Sequence, residues 1–170
     1  MALADDVVEL LIYILPAMVA NGAPVVGAKF YGRGHPIDMG ARMPDGRRVL
    51  GDGKTVEGFI VGVLAGLVVG ILETLALNEN LIGASLASSV GALLGDMAGS
   101  FIKRRLGKER GAPVPLLDQL DFYIGALAML YLAGYSISMG AAMVMAFVII
   151  ILHVSTNWIA YQLGLKSVPW

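Results

Sequence analysis

Five apolar stretches, at about residues 7–28, 56–77, 81–101, 121–138 and 141–163, contain no lysine or arginine. Each is close to the ~20 residues a helix needs to cross a bilayer core, and together they occupy most of a 170-residue chain. Soluble domains run near 25% charged residues; this chain has 15%, with 57% hydrophobic residues and a mean hydropathy of +0.75. The pattern predicts an all-α integral membrane protein: a bundle of five transmembrane helices forming one domain over residues 1–170. Disorder and an ordinary soluble enzyme do not fit that composition. Without cysteine there is no thiolate nucleophile and no Cys-based metal site.

The placement of charge sets an orientation. Lys29, Arg33, Arg42, Arg47, Arg48 and Lys54 fall in the first connection, Lys103, Arg104, Arg105, Lys108 and Arg110 in the third, and Lys166 in the tail. Five crossings with the N-terminus outside put all 12 on the cytoplasmic side, as the positive-inside rule asks. Asp5, Asp6 and Glu9 suit an outer end, and the lack of a basic leading segment argues against a cleaved signal. The outer turns, near residues 78–80 and 136–140, are short, so chemistry is expected at the cytoplasmic face of the cell membrane. Trp158 and Trp170 fit an interfacial belt. A net charge of -1 goes with no nucleic-acid partner.

Small residues mark the interior helices. Gly58, Gly62, Gly66 and Gly70 recur every fourth residue, as do Gly91, Gly95 and Gly99. Such stripes let helix backbones approach closely, either within the chain or across a homodimer. The first span holds Pro16 and then Asn21-Gly22-Ala23-Pro24, which predicts a broken helix lining a pocket, a simple kink being the alternative.

Ser85, Ser89, Asp96, Ser100 and Lys103 recur three and four apart, which stacks them on one helix face. An aspartate within a spanning helix costs about 2.5–3.5 kcal/mol at the bilayer centre, so Asp96 needs a cation or a cavity. Asp118 and Asp121 lie three apart at the start of the fourth span; the helix dipole accounts for one of them. Carboxylates without thiols or paired histidines favour a hard ion. Mg²⁺ takes one or two carboxylates and completes its shell with phosphate oxygens and water, so Asp96, Asp118 and Asp121 are candidate metal ligands. Gly51-Asp52-Gly53-Lys54-Thr55 leads into the second span, where backbone N–H groups and a lysine suit phosphate. A plain helix-start turn is the alternative, because Arg48 stands where a P-loop needs glycine and no strand precedes it. His35 and His153 are too few for a zinc site, and His153 with Asn157 suits interhelical hydrogen bonding.

The run Gly95-Asp96-Met97-Ala98-Gly99-Ser100-Phe101-Ile102-Lys103-Arg104-Arg105-Leu106-Gly107 is followed by Arg110-Gly111 and Asp118-Gln119-Leu120-Asp121-Phe122. With Asn21, Pro24, Pro36-Ile37-Asp38, Gly40 and Gly51 to Thr55, it resembles the archaeal CDP-archaeol synthases, membrane cytidylyltransferases, over nearly the whole chain. A more distant similarity is to phosphatidate cytidylyltransferases. Their S-x-[LIVMF]-K-R opening is matched by Ser100, Ile102, Lys103 and Arg104, while their D-R-x-D close reads Asp118-Gln119-Leu120-Asp121.

The resemblance implies that CTP and Mg²⁺ react with an isoprenoid ether lipid phosphate, 2,3-di-O-geranylgeranylglycerol 1-phosphate, to give CDP-archaeol and pyrophosphate. On that reading Lys103, Arg104, Asp118 and Asp121 are catalytic and Asp96, Asp118 and Asp121 hold the metal. Asn21, Pro24, Gly53, Lys54, Thr55, Ser100, Lys103, Arg104, Arg105, Arg110 and Gln119 contact substrates. Two other readings use similar residues: a CTP-dependent polyprenol or dolichol-type lipid kinase, which would release CDP, and a divalent-cation transporter, which would need polar groups continuing outward.

Overall fold

The computed structural model describes residues 2–169, so Trp170 falls outside it. Its helices in chain order are α1 (Leu3–Tyr31), α2 (Val56–Leu77), α3 (Ile82–Arg105), α4 (Leu117–Leu132) and α5 (Met139–Gln162). Among the described residues, α1, α2, α3 and α5 are long and apolar enough to cross a membrane. Their outward faces carry large apolar side chains such as Leu64, Val68, Leu75, Phe147 and Ile151, each more than half exposed. That is the surface expected of a bundle bathed in lipid; the chain is a multi-pass membrane protein.

The fourth span departs from expectation. Instead of running over 121–138, α4 has 16 residues and stops at Leu132. Gly134 adopts φ 89°, and the Gly134 and Tyr135 N–H groups donate back to Tyr131 O and Leu130 O, both at 3.0 Å. That paired return is a Schellman stop, for which glycine has the freedom and other residues do not. The apolar run continues past the helix, so hydropathy alone overshoots the helix end.

The predicted break in α1 is also absent, since the helix is continuous through Pro16 and Pro24. Proline at position 24 removes the donor that Ala20 O would otherwise accept from. That oxygen is packed against Gly62 of α2, 2.7 Å from where a Cβ would sit, so the freed acceptor is buried against a neighbouring backbone. At the other end of the charge pattern, α3 runs a turn beyond its predicted limit of residue 101. Lys103, Arg104 and Arg105 are therefore its last turn rather than loop, where cations complement the helix dipole.

The glycine stripes are used inside the chain. A methyl on Gly66 would overlap Ser89 Oγ, and one on Gly70 would overlap Ser85 Oγ, so the serine face of α3 lies on the glycine face of α2. Gly91 and Gly95 of α3 pack against the α4 backbone at Gly125 and Asp121, in the most extensive helix–helix contact of the bundle. Ile14, Ala17, Ala92, Phe122, Tyr123, Ala126, Leu130, Met145 and Ile149 fill the shared core. The Tyr123 hydroxyl donates to Ala142 O at 2.9 Å and ties α4 to α5.

Candidate active site

Three segments meet at one end of the bundle: the loop of residues 32–55, the end of α3 and the start of α4. The loop is ordered around a single carboxylate. Asp38, with a side chain 2% exposed, accepts from the N–H groups of Leu50 and Gly51 at 2.9 Å each. It also accepts from the Arg48 guanidinium at 2.5 and 3.2 Å. Burial alone would push the Asp38 carboxyl up; Arg48 and the N–H donors outweigh it and hold the group far below the usual carboxylate range. Ile37 N–H donates to Lys54 O at 2.8 Å and Val56 N–H to His35 O at 2.9 Å, an isolated β-bridge that seats the 51–55 turn beside residues 35–37. Asp38 escaped a reading based on charge runs because it is one acid among many loop residues; the turn-rich run that follows it was the available signal.

The loop is clasped to α3 by arginines. Arg105 donates to Asp45 Oδ1 at 2.7 Å and to Arg48 O at 2.5 Å, and its guanidinium lies 5.2 Å from the Phe101 ring centroid. Arg47 returns a donor to Arg105 O at 2.6 Å. Arg105, expected to hold phosphate, thus has its terminal nitrogens engaged in fastening the loop. Thr55 and Gln119 are likewise engaged locally: Thr55 Oγ1 accepts from Gly58 N–H at 3.1 Å as the α2 cap. Gln119 Oε1 accepts from Leu116 N–H at 2.5 Å at the start of α4.

Arg104 is different. Its guanidinium faces Gly51, with Nη1 3.8 Å from where a Cβ would stand, and its Nε, like that of Arg105, is buried with no hydrogen-bond partner. Arg110 faces Gly53 in the same way, at 3.5 Å for Nε. Two arginines from the α3–α4 side therefore flank the 51–53 turn, whose glycines leave room for an incoming group. A buried guanidinium N–H without an acceptor is costly, and a phosphate oxygen is the acceptor that its geometry suits.

The carboxylates complete the site. Asp96 on α3 pairs with Lys54 of the loop, and Asp118 Oδ1 pairs with Lys103 Nζ at 2.8 Å while its Oδ2 accepts from Val114 N–H at 2.9 Å. Asp121 lies between them, within electrostatic reach of Asp96, Asp118 and Lys54. It accepts from Phe122 N–H at 2.6 Å and rests on Gly99, where any side chain would overlap it. Among the described residues no three acidic or histidine side chains converge into a ready-made ion cage. The donor set still fits Mg²⁺: hard oxygens from two helices, in a space kept open by a glycine, for an ion that takes most of its shell from phosphate and water. Ser100 is half-buried one turn beyond Asp96. Asn21 and Pro24 continue the inner face of α1 set by Leu10, Ile14 and Ala17.

His153 proves closer to this site than its position in the chain suggests. Its ring centroid lies 5.9 Å from that of Phe122, and Asp96, Asp118 and Lys166 are its electrostatic neighbours. The interhelical contact expected of the His153 and Asn157 face is made by His153 with α4.

Comparison with known proteins agrees with this arrangement. A family model described as "CarS-like: CDP-archaeol synthase" matches residues 3–170. A CDP-archaeol synthase of Aeropyrum pernix is 53% identical over 98% of this chain and 94% of its own length. One of Hyperthermus butylicus is 53% identical over 95% of each. A solved structure of an intramembrane enzyme for archaeal membrane lipids biosynthesis superposes with a TM-score of 0.82 at 51% identity, covering 89% of this chain and 94% of that one. The chain belongs to the CDP-archaeol synthase family.

Proposed function

We propose that the chain transfers CMP from CTP to 2,3-di-O-geranylgeranylglycerol 1-phosphate, giving CDP-archaeol and pyrophosphate. Family membership over the whole chain supports the reaction. The observation that carries the reading at this site is the Arg104 guanidinium facing the Gly51 turn, beside three carboxylates and two paired lysines.

In this reaction a phosphate oxygen of the lipid forms a bond to the α-phosphorus of CTP, and the bond from that phosphorus to the bridging oxygen of pyrophosphate breaks. The attacking oxygen is already anionic, so the protein needs no general base. Its task is to hold two polyanions in line and to offset charge on the leaving group. Lys54, Arg104 and Arg110 around the 51–53 turn hold the triphosphate. Lys103 and Ser100, on the adjoining turn of α3, hold phosphate beside Asp118. Asp96, Asp118 and Asp121 hold Mg²⁺, which when bound neutralises phosphate charge and supports departure of pyrophosphate. Lysines now paired with Asp96 and Asp118 exchange those carboxylates for phosphate oxygens as substrates arrive. Arg105, Thr55 and Gln119 position these groups by fixing the loop and the two helix starts. Asn21 and Pro24 line the side of the cavity nearest α1.

The orientation belongs to the same proposal: N-terminus outside, five crossings with α4 as the fourth, and both basic segments in the cytoplasm where CTP is found. The isoprenoid chains stay in lipid while the nucleotide enters from water. A homodimer would have to use a face other than the glycine stripes, which are filled within the chain. The serine face of α3 is packed on α2 glycines, which speaks against a continuous polar path for ion transport.

The test supplies purified protein with Mg²⁺, the geranylgeranyl ether phosphate and CTP labelled at the α-phosphate. Label in the organic phase is expected. Transfer only from γ-labelled CTP would make the chain a lipid kinase, and divalent-cation flux into sealed vesicles without CTP consumption would make it a transporter.

A further inference from the structure

We propose that Asn157, on the C-terminal half of α5, binds the phosphate end of the lipid substrate, which reaches the carboxylates sideways from the bilayer along the seam between α4 and α5. This rests on the cytidylyltransferase reading above and adds to that site a residue of α5.

The face that α5 turns to the bundle changes character along its length. Ala141, Ala142, Met145 and Ile149 are buried and belong to the shared core. Beyond Ile149 no residue of α5 is buried. After Ile150 the half-buried ones are His153, Asn157 and Ala160, which continue the core stripe three and four apart between exposed neighbours. A helix long and apolar enough to span a membrane is thus closed against the bundle in its first half and open in its second.

His153 fixes where the open half stands, since its ring centroid lies 5.9 Å from that of Phe122 on α4. The short 133–138 connection joins the two helices, so the start of α4 and the end of α5 lie at the same end of the bundle. One turn beyond the ring contact toward that end, about 6 Å along each axis, stand Asn157 on α5 and Asp118 on α4. Leu152 and Ile159 on α5 and Leu116 just ahead of α4 are exposed, which gives the seam apolar borders.

The polar groups of this stretch are not equally satisfied. The Ser155 and Thr156 hydroxyls donate to Ile151 O and Leu152 O of their own helix at 2.8 Å each. Among the described residues the Asn157 carboxamide has no hydrogen-bond partner. A half-buried amide on a spanning helix is costly in that condition. The occupant that relieves it must lay apolar chains along Leu152 and Ile159 and bring acceptors to the level of Asp118. A phosphate on a dialkyl glycerol has both parts, whereas a nucleotide has no apolar part to leave in lipid.

The experiment compares wild type, Asn157→Leu, Asn157→Gln and Ser155→Ala in detergent. Equilibrium binding and KM are measured separately for CTP and for a short-chain dialkyl ether glycerol phosphate. Loss of an amide contact to a charged phosphate is expected to weaken lipid binding about tenfold in Asn157→Leu, with lipid KM raised in step and CTP binding unchanged. Asn157→Gln should restore most of the loss, and Ser155→Ala should match wild type. Lipid binding within about twofold of wild type in Asn157→Leu would overturn the proposal, as would an equal loss for CTP. Equal losses in Asn157→Leu and Asn157→Gln with a lower melting temperature would also overturn it, as the mark of a packing role. A second readout needs no variant: the same lipid carrying a diazirine on the first carbons of its chains should label wild-type residues 152–160, and labelling confined to other helices would sink the idea. Failure of the wild type to move label from CTP into lipid would instead overturn the reaction, while binding and photolabelling would still decide the role of Asn157.

Discussion

The carboxylate of Asp121 on α4 lies over the Cα of Gly99 on α3, so close that a methyl at residue 99 would overlap Oδ2. The contact couples the smallest side chain of one helix to the most enclosed acid of the next. Gly99→Ala should displace that carboxylate at a modest cost to the bundle, because Oδ2 can rotate away and Asp121 Cβ, 2.9 Å off, needs only a small shift of α4. Turnover is expected to fall about 100-fold, the scale on which misplacing a reacting group by about an ångström acts. Gly91→Ala is the contrast: its methyl would overlap the Gly125 backbone oxygen, which cannot rotate, so the loss should appear as lowered melting temperature and expression. Label transfer and a thermal melt in detergent separate the two, and an unchanged rate in Gly99→Ala would show that Asp121 tolerates displacement.

Asp118→Asn and Asp121→Asn should each abolish most turnover in a protein that still inserts and purifies. Loss of a metal ligand commonly weakens metal affinity about tenfold or more, so the Mg²⁺ concentration for half-maximal rate should rise in parallel. Asp118→Asn additionally removes the partner of Lys103, 2.8 Å away. Rates near wild type at saturating Mg²⁺ would take these residues out of the metal site.

Asp38→Asn tests the loop. The amide keeps an oxygen for the Leu50 and Gly51 N–H groups but no longer carries charge opposite Arg48, in a site where the side chain is 2% exposed. Arg48 keeps Asp52 at 2.6 Å but loses its two charge-assisted hydrogen bonds to Asp38, so the expected result is a raised KM for CTP, about tenfold, with little change in KM for the lipid. Equal changes in both would mean that the loop does not serve the nucleotide. The folded carboxyl is held below its usual range; its contribution is therefore present above about pH 4 and is lost as pH falls through the depressed value.

His35 gives the loop a pH dependence of opposite sign. Its Nδ1 and backbone N lie 2.5 and 2.7 Å from the two oxygens of Glu57, and that hydrogen bond raises the imidazole above 6.5. A raised group contributes fully below its unfolded value and loses that contribution as pH climbs through the folded one. Amide-exchange protection of residues 33–35 should therefore decline as pH climbs above the ordinary histidine range, and Glu57→Gln should flatten the decline. A flat wild-type profile would mean that the clasp does not hold the loop.

Much of this architecture is legible in the chain because lipid imposes a coarse, strong code. The limits of α2 follow hydropathy residue for residue, and the Gly66–Ser89 and Gly70–Ser85 contacts follow from small-residue spacing. Misreadings occur where a backbone device competes with hydropathy. Gly134 ends α4 inside an apolar run, and the Ala20 acceptor that Pro24 leaves open is covered by Gly62, so α1 does not break. At the site, carboxylate spacing on a helix points to Asp96, Asp118 and Asp121. Sequence does not show that Arg105 fastens the loop while Arg104 faces the turn, since adjacent arginines differ only in the direction each leaves the helix. The role of Asp38 depends on how the loop folds back, which no periodicity encodes.

The 16 residues of α4 reach about 24 Å at 1.5 Å per residue, against a hydrocarbon core of about 30 Å. A helix that falls short draws the surrounding leaflet inward, and the opening turns of this one carry Asp118 and Asp121. With α4 as the proposed fourth crossing, headgroups and water would sink toward those acids in a local dimple. A phosphate still tethered to its isoprenoid tails can there meet a nucleotide from the aqueous phase, with neither molecule leaving the medium that dissolves it.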